Sequence, residues 1–326
     1  MATRGTVATK GHALMFRLSP LRRLTLGLNM GLLLAIALGG GFFAREIVAE
    51  IAILAILVIA LDLAAGFGGM VSLAHGAIMG VGAYAYALAC ESGIAPWPAA
   101  GLGVIAAGIA GGLIGAVSVR AHGIFFIMAT LAFGQMIWAI THASRFLGGD
   151  NGLAGVPRAA LPFADTGDSR IFAIYALAVL TAVILLAALL LRSGFGRAYE
   201  AARDNPLRAA AIGLPVLHLR AAGFALSSAI AGVAGVLMAQ HMQFISPGMM
   251  VWTASGEALV VLILGGIGTV AGPVLGAAAF VGMKYWSSGW TDHWHLLIGG
   301  LLIAVVIAGG RGLYGQLEHW WHRAAG

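Results

Sequence analysis

Nine polar side chains interrupt long apolar stretches of this sequence: Glu50, Asp62, Ser72, His75, Thr130, Gln135, Ser227, Ser228 and Glu257. A carboxylate held at the centre of a bilayer costs about 2.5–3.5 kcal/mol on insertion scales, so each acid needs a cavity or a partner. Three kinds of chemistry are open to such a set: lining a path for a polar solute, coupling to an ion, or relaying a proton through His75. Set against them is plain helix packing, and for His75, placed between the small residues Ala74 and Gly76, packing is favoured. Asp62 falls near one boundary, with water or Arg120 available to pair with it. Enzyme chemistry finds no footing. No Ser/His/Asp arrangement, His-x-x-x-His pair or paired carboxylate set occurs at catalytic spacing. The single Cys90 excludes an internal disulfide and a cysteine-built metal cluster, and no cofactor is expected. Lys10 and Lys284 are the only lysines, and neither follows the Gly-x-x-x-x-Gly of a phosphate-cradling loop. Any ATP that drives this chain must be hydrolysed elsewhere.

Two further features bear on function. The apolar stretch 257–286 is broken by Gly265-Gly266-Ile267-Gly268-Thr269 and then Gly272-Pro273. Such a break survives at membrane depth only where protein or a water-filled cavity satisfies the freed backbone. The candidate path is therefore Ser72, His75, Thr130, Gln135, Ser227, Glu257, Gly265, Gly266, Gly268 and Thr269. The segment 192–217 is the only strongly charged interior stretch, and it carries Arg197, Glu200, Ala201, Arg203, Asp204, Asn205 and Gly213. It reads as two short helices, broken before Pro206 and stopped at Gly213–Pro215. Its alanines suit a low surface that docks a soluble partner; an ordinary solvated loop is the alternative. A second long loop, 147–170, is turn-rich around Asp150, Asn151 and Gly152.

The elements that must position these residues follow from composition. Only 9% of the 326 residues are charged and 60% are hydrophobic, with a mean hydropathy of +0.96. Soluble proteins run near 25% charged, so a soluble domain, a disordered chain and a nucleic-acid binder are all excluded. About 20 apolar residues cross roughly 30 Å of hydrocarbon. The expectation is an all-α polytopic membrane protein with about eight transmembrane helices, at 24–43, 47–66, 70–90, 97–119, 123–145, 171–191, 221–240 and 294–310. To these is added the broken pair within 257–286, either re-entrant or two more spans, which makes ten. The 49 glycines, in pairs such as Gly108/Gly112 and Gly111/Gly115, suit close helix contact. With the basic tail 1–23 inside, 13 of the 18 Lys and Arg fall on the inner side, as the positive-inside rule asks. Both termini, including the tail 311–326, are then cytoplasmic, with 192–217 inside and 147–170 outside.

From about residue 45 to 310 the chain resembles the branched-chain amino acid permease family of ABC importers. The resemblance rests on ordered segments: Gly66-Phe-Gly-Gly69-Met-Val-Ser72-Leu-Ala-His75-Gly76, Thr130-Leu-Ala-Phe-Gly134-Gln135, and Gly-Gly-Asp150-Asn151-Gly152-Leu. It continues through Ala-Arg203-Asp204-Asn205-Pro206, Phe224-Ala-Leu-Ser227, and Gly265-Gly266-Ile-Gly268-Thr269-Val-Ala-Gly272-Pro273. The M-type subunit is the nearer of the family's two permeases. Ala74 departs from the usual glycine, and Glu200-Ala-Ala does not keep the full spacing of the general importer loop. The resemblance implies a bacterial inner-membrane subunit paired with a second, H-type permease, cytoplasmic ATP-binding subunits and a periplasmic solute-binding protein. It also implies that 192–217 couples to the ATPase. A urea or short-amide importer permease is the nearest alternative. A stand-alone transporter that couples an ion through Asp62 or Glu257 is the rival from another class.

Overall fold

The computed structural model describes residues 20–160, 166–289 and 312–316, with Leu296, Gly299, Gly300, Ile303 and Glu318. Most of the expected tails and of the expected span 294–310 lie outside the described residues, as do 161–165 of the long loop. Eleven helices are described: α1 Pro20–Gly39, α2 Phe42–Asp62, α3 His75–Glu91, α4 Pro96–Ser118, α5 Ile124–Ala143, α6 Ser169–Arg192, α7 Gly194–Asp204, α8 Pro206–Ala211, α9 Val216–Met242, α10 Trp252–Gly265 and α11 Gly272–Ser288. Two short strands, β1 Leu153–Ala154 and β2 Phe244–Ile245, pair antiparallel with Leu153 opposite Ile245. They define one end of the bundle, the strand face; α7 and α8 define the other, the loop face. The protein is an all-α polytopic membrane protein.

Five described segments are long and apolar enough to cross a bilayer: Phe42–Phe67, Pro96–Ser118, Ile124–Ala143, Ser169–Arg192 and Val216–Met242. The expected span at 70–90 comes out differently, whereas the pair expected within 257–286 is broken as the sequence indicated. The first starts as a helix only at His75, because the glycines at 66, 68 and 69 end the preceding helix and 68–74 runs irregularly. The second splits into α10 and α11. At 1.5 Å per residue the 14 residues of α10 reach about 21 Å, short of the hydrocarbon thickness.

From Ile51 to Leu61 helix α2 is apolar on every side, and every residue from Ile51 to Asp62 except Leu54 is buried. A helix of that kind belongs inside a core rather than at its edge. It packs against α6, α9, α10 and α11, while α9 packs against α2, α3 and α4. The close approach of α3, α4 and α9 depends on missing side chains. A Cβ on Gly82 would stand 2.8 Å from the Cα of Gly232, and one on Gly103 would stand 2.7 Å from the carbonyl oxygen of Gly82. The glycines of α4 expected to make helix contacts do so: Gly111 faces Ser228, and Gly115 faces Phe224 at 3.2 Å.

Overpacking of such a contact costs about 1–3 kcal/mol. Gly82→Val is therefore expected to lower the thermal transition of the detergent-purified protein by several degrees. Gly101→Ala, on the same trio but with nothing within 4 Å of the added methyl, should leave the transition in place.

Candidate functional site

Near the loop face α2 widens into a π-turn at Leu63–Phe67, and the chain breaks at Gly68–Gly69 before restarting as α3. Three α2 and π-turn carbonyls spaced three residues apart are taken up by side chains from elsewhere. Ser227 of α9 donates its hydroxyl to the carbonyl of Ala60 at 2.5 Å. Tyr199 of α7 donates to that of Leu63 at 3.3 Å, and the Arg203 guanidinium donates to that of Gly66. The start of α3 is satisfied in the same manner. The amide of Leu73 donates to Thr130 Oγ1 on α5 at 3.2 Å, that of Ala74 to Ser72 Oγ at 3.1 Å, and that of Gly76 to Ser255 Oγ on α10 at 2.8 Å. His75 Nε2 lies 2.7 Å from Ser227 Oγ, and its ring meets Phe224 edge to face.

The tip between α10 and α11 is attached to this junction. Asp62, for which Arg120 was a candidate partner in the sequence, accepts the backbone N–H of Gly268 at 2.7 Å. Thr269 Oγ1 donates to the carbonyl of Gly266 at 2.7 Å and accepts from the amide of Gly272 at 3.1 Å, so the turn is closed by its own hydroxyl. Gly266 and Gly268 both take positive φ, +116° and +74°, which a side chain would strain.

The 192–217 segment forms two capped helices, with the break and stop in the expected places. Ser193 Oγ accepts from Gly196 at the start of α7, and Asn205 Oδ1 accepts from Arg208 at 2.9 Å at the start of α8, where Pro206 sits at the first helical position. Gly213, at φ +85°, ends α8. The two helices present different chemistry inward and outward. Inward, Tyr199 is 1% exposed and Ala202 is fully buried. Tyr199 lies against Gly68 and Gly223, where any Cβ would collide with its ring. Outward, Arg197, Asp204, Asn205, Arg208 and Gly213 are exposed, together with Leu207 at 85% and Ile212 at 72%. Glu200, Ala201 and Arg203 are half-buried. Arg203 also pairs with Asp204 at 2.7 Å. One Glu200 carboxylate oxygen is buried with no hydrogen-bond partner. Burial pushes that carboxyl up to about 7, Arg203 pulls it down, and Asp204 adds to the rise.

At the strand face, Gly152 comes against the carbonyl of Ile245 and Gly148 against Gly152, so this motif is a tight turn that delivers β1 to β2. Asp150 and Asn151 are exposed on it, with Asp150 3.6 Å from His142. Arg158 fastens the same loop to the end of α9 by donating to the carbonyls of Gln240 at 3.0 Å and His241 at 3.3 Å.

Of the candidate path residues, the structure brings Ser72, His75, Thr130 and Ser227 into one buried node, and Gly265, Gly266, Gly268 and Thr269 into the hairpin tip. Gln135, on α5, has a buried amide nitrogen with no partner. Glu257 stands apart, exposed on α10. Sequence reasoning missed Tyr199, Ser255, Leu207 and Ile212. The i, i+4 pair Phe195 and Tyr199, stacked at 5.7 Å, was the available sign that α7 has an apolar face. Among the described residues no three His, Cys, Asp or Glu side chains gather as a metal site.

The family described as branched-chain amino acid transport system / permease component matches residues 43–306. The chain belongs to that family. LivM of Escherichia coli (strain K12), a high-affinity branched-chain amino acid transport system permease protein, is 27% identical over 86% of this chain and 73% of its own length. LivM of Salmonella typhimurium is 28% identical over 79% of this chain and 67% of its own. LivH of Salmonella typhimurium, also a high-affinity branched-chain amino acid transport system permease protein, is 30% identical but over 42% of this chain and 45% of its own. The likeness to LivM thus covers most of the chain where that to LivH covers less than half, and the chain is M-type within its family. No solved structure matches it.

The raised Glu200 carboxyl has a defined signature. Its folded-state value of about 7 lies above the ordinary 4.5, so between those values the folded protein binds a proton that the unfolded chain releases. Stability contributed by this group therefore falls as pH rises through that window and levels off above it. Glu200→Gln is expected to flatten the difference between thermal transitions measured at pH 5 and pH 8, by raising the transition at pH 8.

Proposed function

We propose that this chain is the M-type membrane subunit of an ATP-driven importer for branched-chain amino acids in a bacterial inner membrane. It works beside a second, H-type permease, with cytoplasmic ATP-binding subunits and a periplasmic solute-binding protein. The chain itself is non-catalytic: it offers a path, and its partners supply selection and energy. Both termini and the loop face are cytoplasmic, in keeping with the basic residues concentrated there; the strand face is periplasmic and its Asp150–Gly152 turn helps to receive the binding protein.

The observation that carries this reading is the two-faced α7–α8 pair. Its inner face is bonded to the broken end of α2 through Tyr199 and Arg203. Its outer face combines Leu207 and Ile212 with Arg197, Asp204 and Arg208, all exposed. An apolar centre with a charged rim is the composition of a protein-docking patch. ATP binding favours the closed arrangement of the ATPase subunits, and an ATPase docked on α8 biases the permease only as far as ATP binds one arrangement better than the other.

Two measurements test this. Charge placed in the docking patch, as Leu207→Asp with Ile212→Asp, should release the ATPase subunit from the co-purified complex while the two permeases stay together. Retention of the ATPase would remove α8 as the docking element. Sidedness is read by labelling: in a Cys90→Ala background, Asp150→Cys should react with an impermeant maleimide on intact spheroplasts and Arg208→Cys only after permeabilisation. The reverse pattern inverts the topology.

A further inference from the structure

Among the candidate path residues, Glu257 is the one left exposed. Its level relative to the ends of α9 follows from the hydrogen bonds. Ser227 is 11 residues from the start of α9 and 15 from its end, hence about 17 Å and about 22 Å from the two ends. His75 is bonded to Ser227, and the next residue, Gly76, to Ser255, so Ser255 shares this level, between the two ends of α9. Glu257 follows two residues later, about 3 Å along the axis.

Around it, α10 is divided. Ser255, Ala258, Val261 and Leu262 are buried. On the other side Thr253 and Glu257 are exposed, and a Cβ built on Gly256 meets nothing within 4 Å. Glu257 makes no hydrogen bond or ion pair within the described chain. Helix α5 packs on α10. It carries Gln135 next to Gly134, which abuts Ala74 at the start of α3, and the Gln135 amide donor is the second polar group near this level without a partner. Facing lipid, the carboxylate would bear the full insertion cost. An open helix face with an unpaired acid matches a cationic group of the solute, and the ammonium of an amino acid is such a group.

We propose that Glu257 receives the ammonium group of the amino-acid solute as it crosses the membrane. It is a binding residue of the path, selecting for an α-amino group after release from the binding protein. The inference rests on the transport reading above.

The test uses the complete complex, this chain with its partner permease, ATPases and binding protein, in proteoliposomes loaded with ATP and given radiolabelled leucine. A charge-assisted hydrogen bond lost from the path should cut uptake by about tenfold or more in Glu257→Gln. Glu257→Asp should recover part of it, and both variants should purify with both permeases present. Glu257→Gln uptake within twofold of the wild type overturns the inference. So does loss of the second permease in proportion to lost uptake, which would make the carboxylate a subunit contact. Wild-type complex that takes up no amino acid sinks the transport reading itself, a result separable from the other two.

Discussion

A carbonyl or amide released from a helix inside hydrocarbon has no water to turn to, and this chain releases several at the α2–α3 break and at the α10–α11 turn. Leaving such a group unmade costs about 1–3 kcal/mol, more than a typical hydrogen bond contributes. The remedy is a side chain: hydroxyls, a phenol, a guanidinium and a carboxylate reach the exposed groups, most from a distant helix and two, Ser72 and Thr269, from the break itself. Ser227, Tyr199 and Arg203 serve the carbonyls of Ala60, Leu63 and Gly66. Thr130, Ser72 and Ser255 serve the amides that open α3. Asp62 holds the tip at Gly268. Several of the polar residues thus sit where the backbone is broken, and each break ties together helices that are far apart in sequence.

That wiring gives the loop face its mechanical meaning under the proposed function. A helix that merely rested on the membrane could tilt without consequence. Helix α7 is fixed by two side chains to the π-turn of α2, and α2 is fixed through Asp62 to the hairpin tip, so a displacement of α7 is transmitted by hydrogen bonds rather than by loose contact. Leu207 and Ile212, on the outward side, take no part in these bonds and remain exposed to another protein. Separating the two tasks by face lets one short helix be anchored and exposed together.

The long spans were legible because about 20 consecutive apolar residues admit few other structures, and the two loop helices because proline, asparagine and glycine mark their ends by backbone geometry alone. The break before His75 was written in the sequence as Gly66-Phe-Gly-Gly69, but apolar composition on either side hid it. The roles of the polar residues were less legible for a different reason. A serine that closes a break and a serine that lines a path have the same neighbours in sequence; only the partner, 152 residues away for His75 and Ser227, tells them apart. Ser255 and Glu257 make the same point at short range. Two residues apart on one helix, they fall on opposite sides, and one is consumed by the fold while the other is left over.

The glycines at 66, 68 and 69 can be understood from the same constraint. A π-turn turns its carbonyls outward, but a donor can reach them only if nothing stands over the backbone. A methyl on Gly66 would overlap the Asp62 carboxylate and the amide of Gly268, one on Gly68 would overlap the Tyr199 phenol, and one on Gly69 would press on the Arg203 stem at 2.8 Å. Gly69 alone also needs its positive φ of +67°. Each glycine is the space through which one particular partner arrives. The run therefore does more than end a helix: it admits the three groups that connect that end to the hairpin tip and to the loop face, and any side chain there would break a connection before it strained a turn.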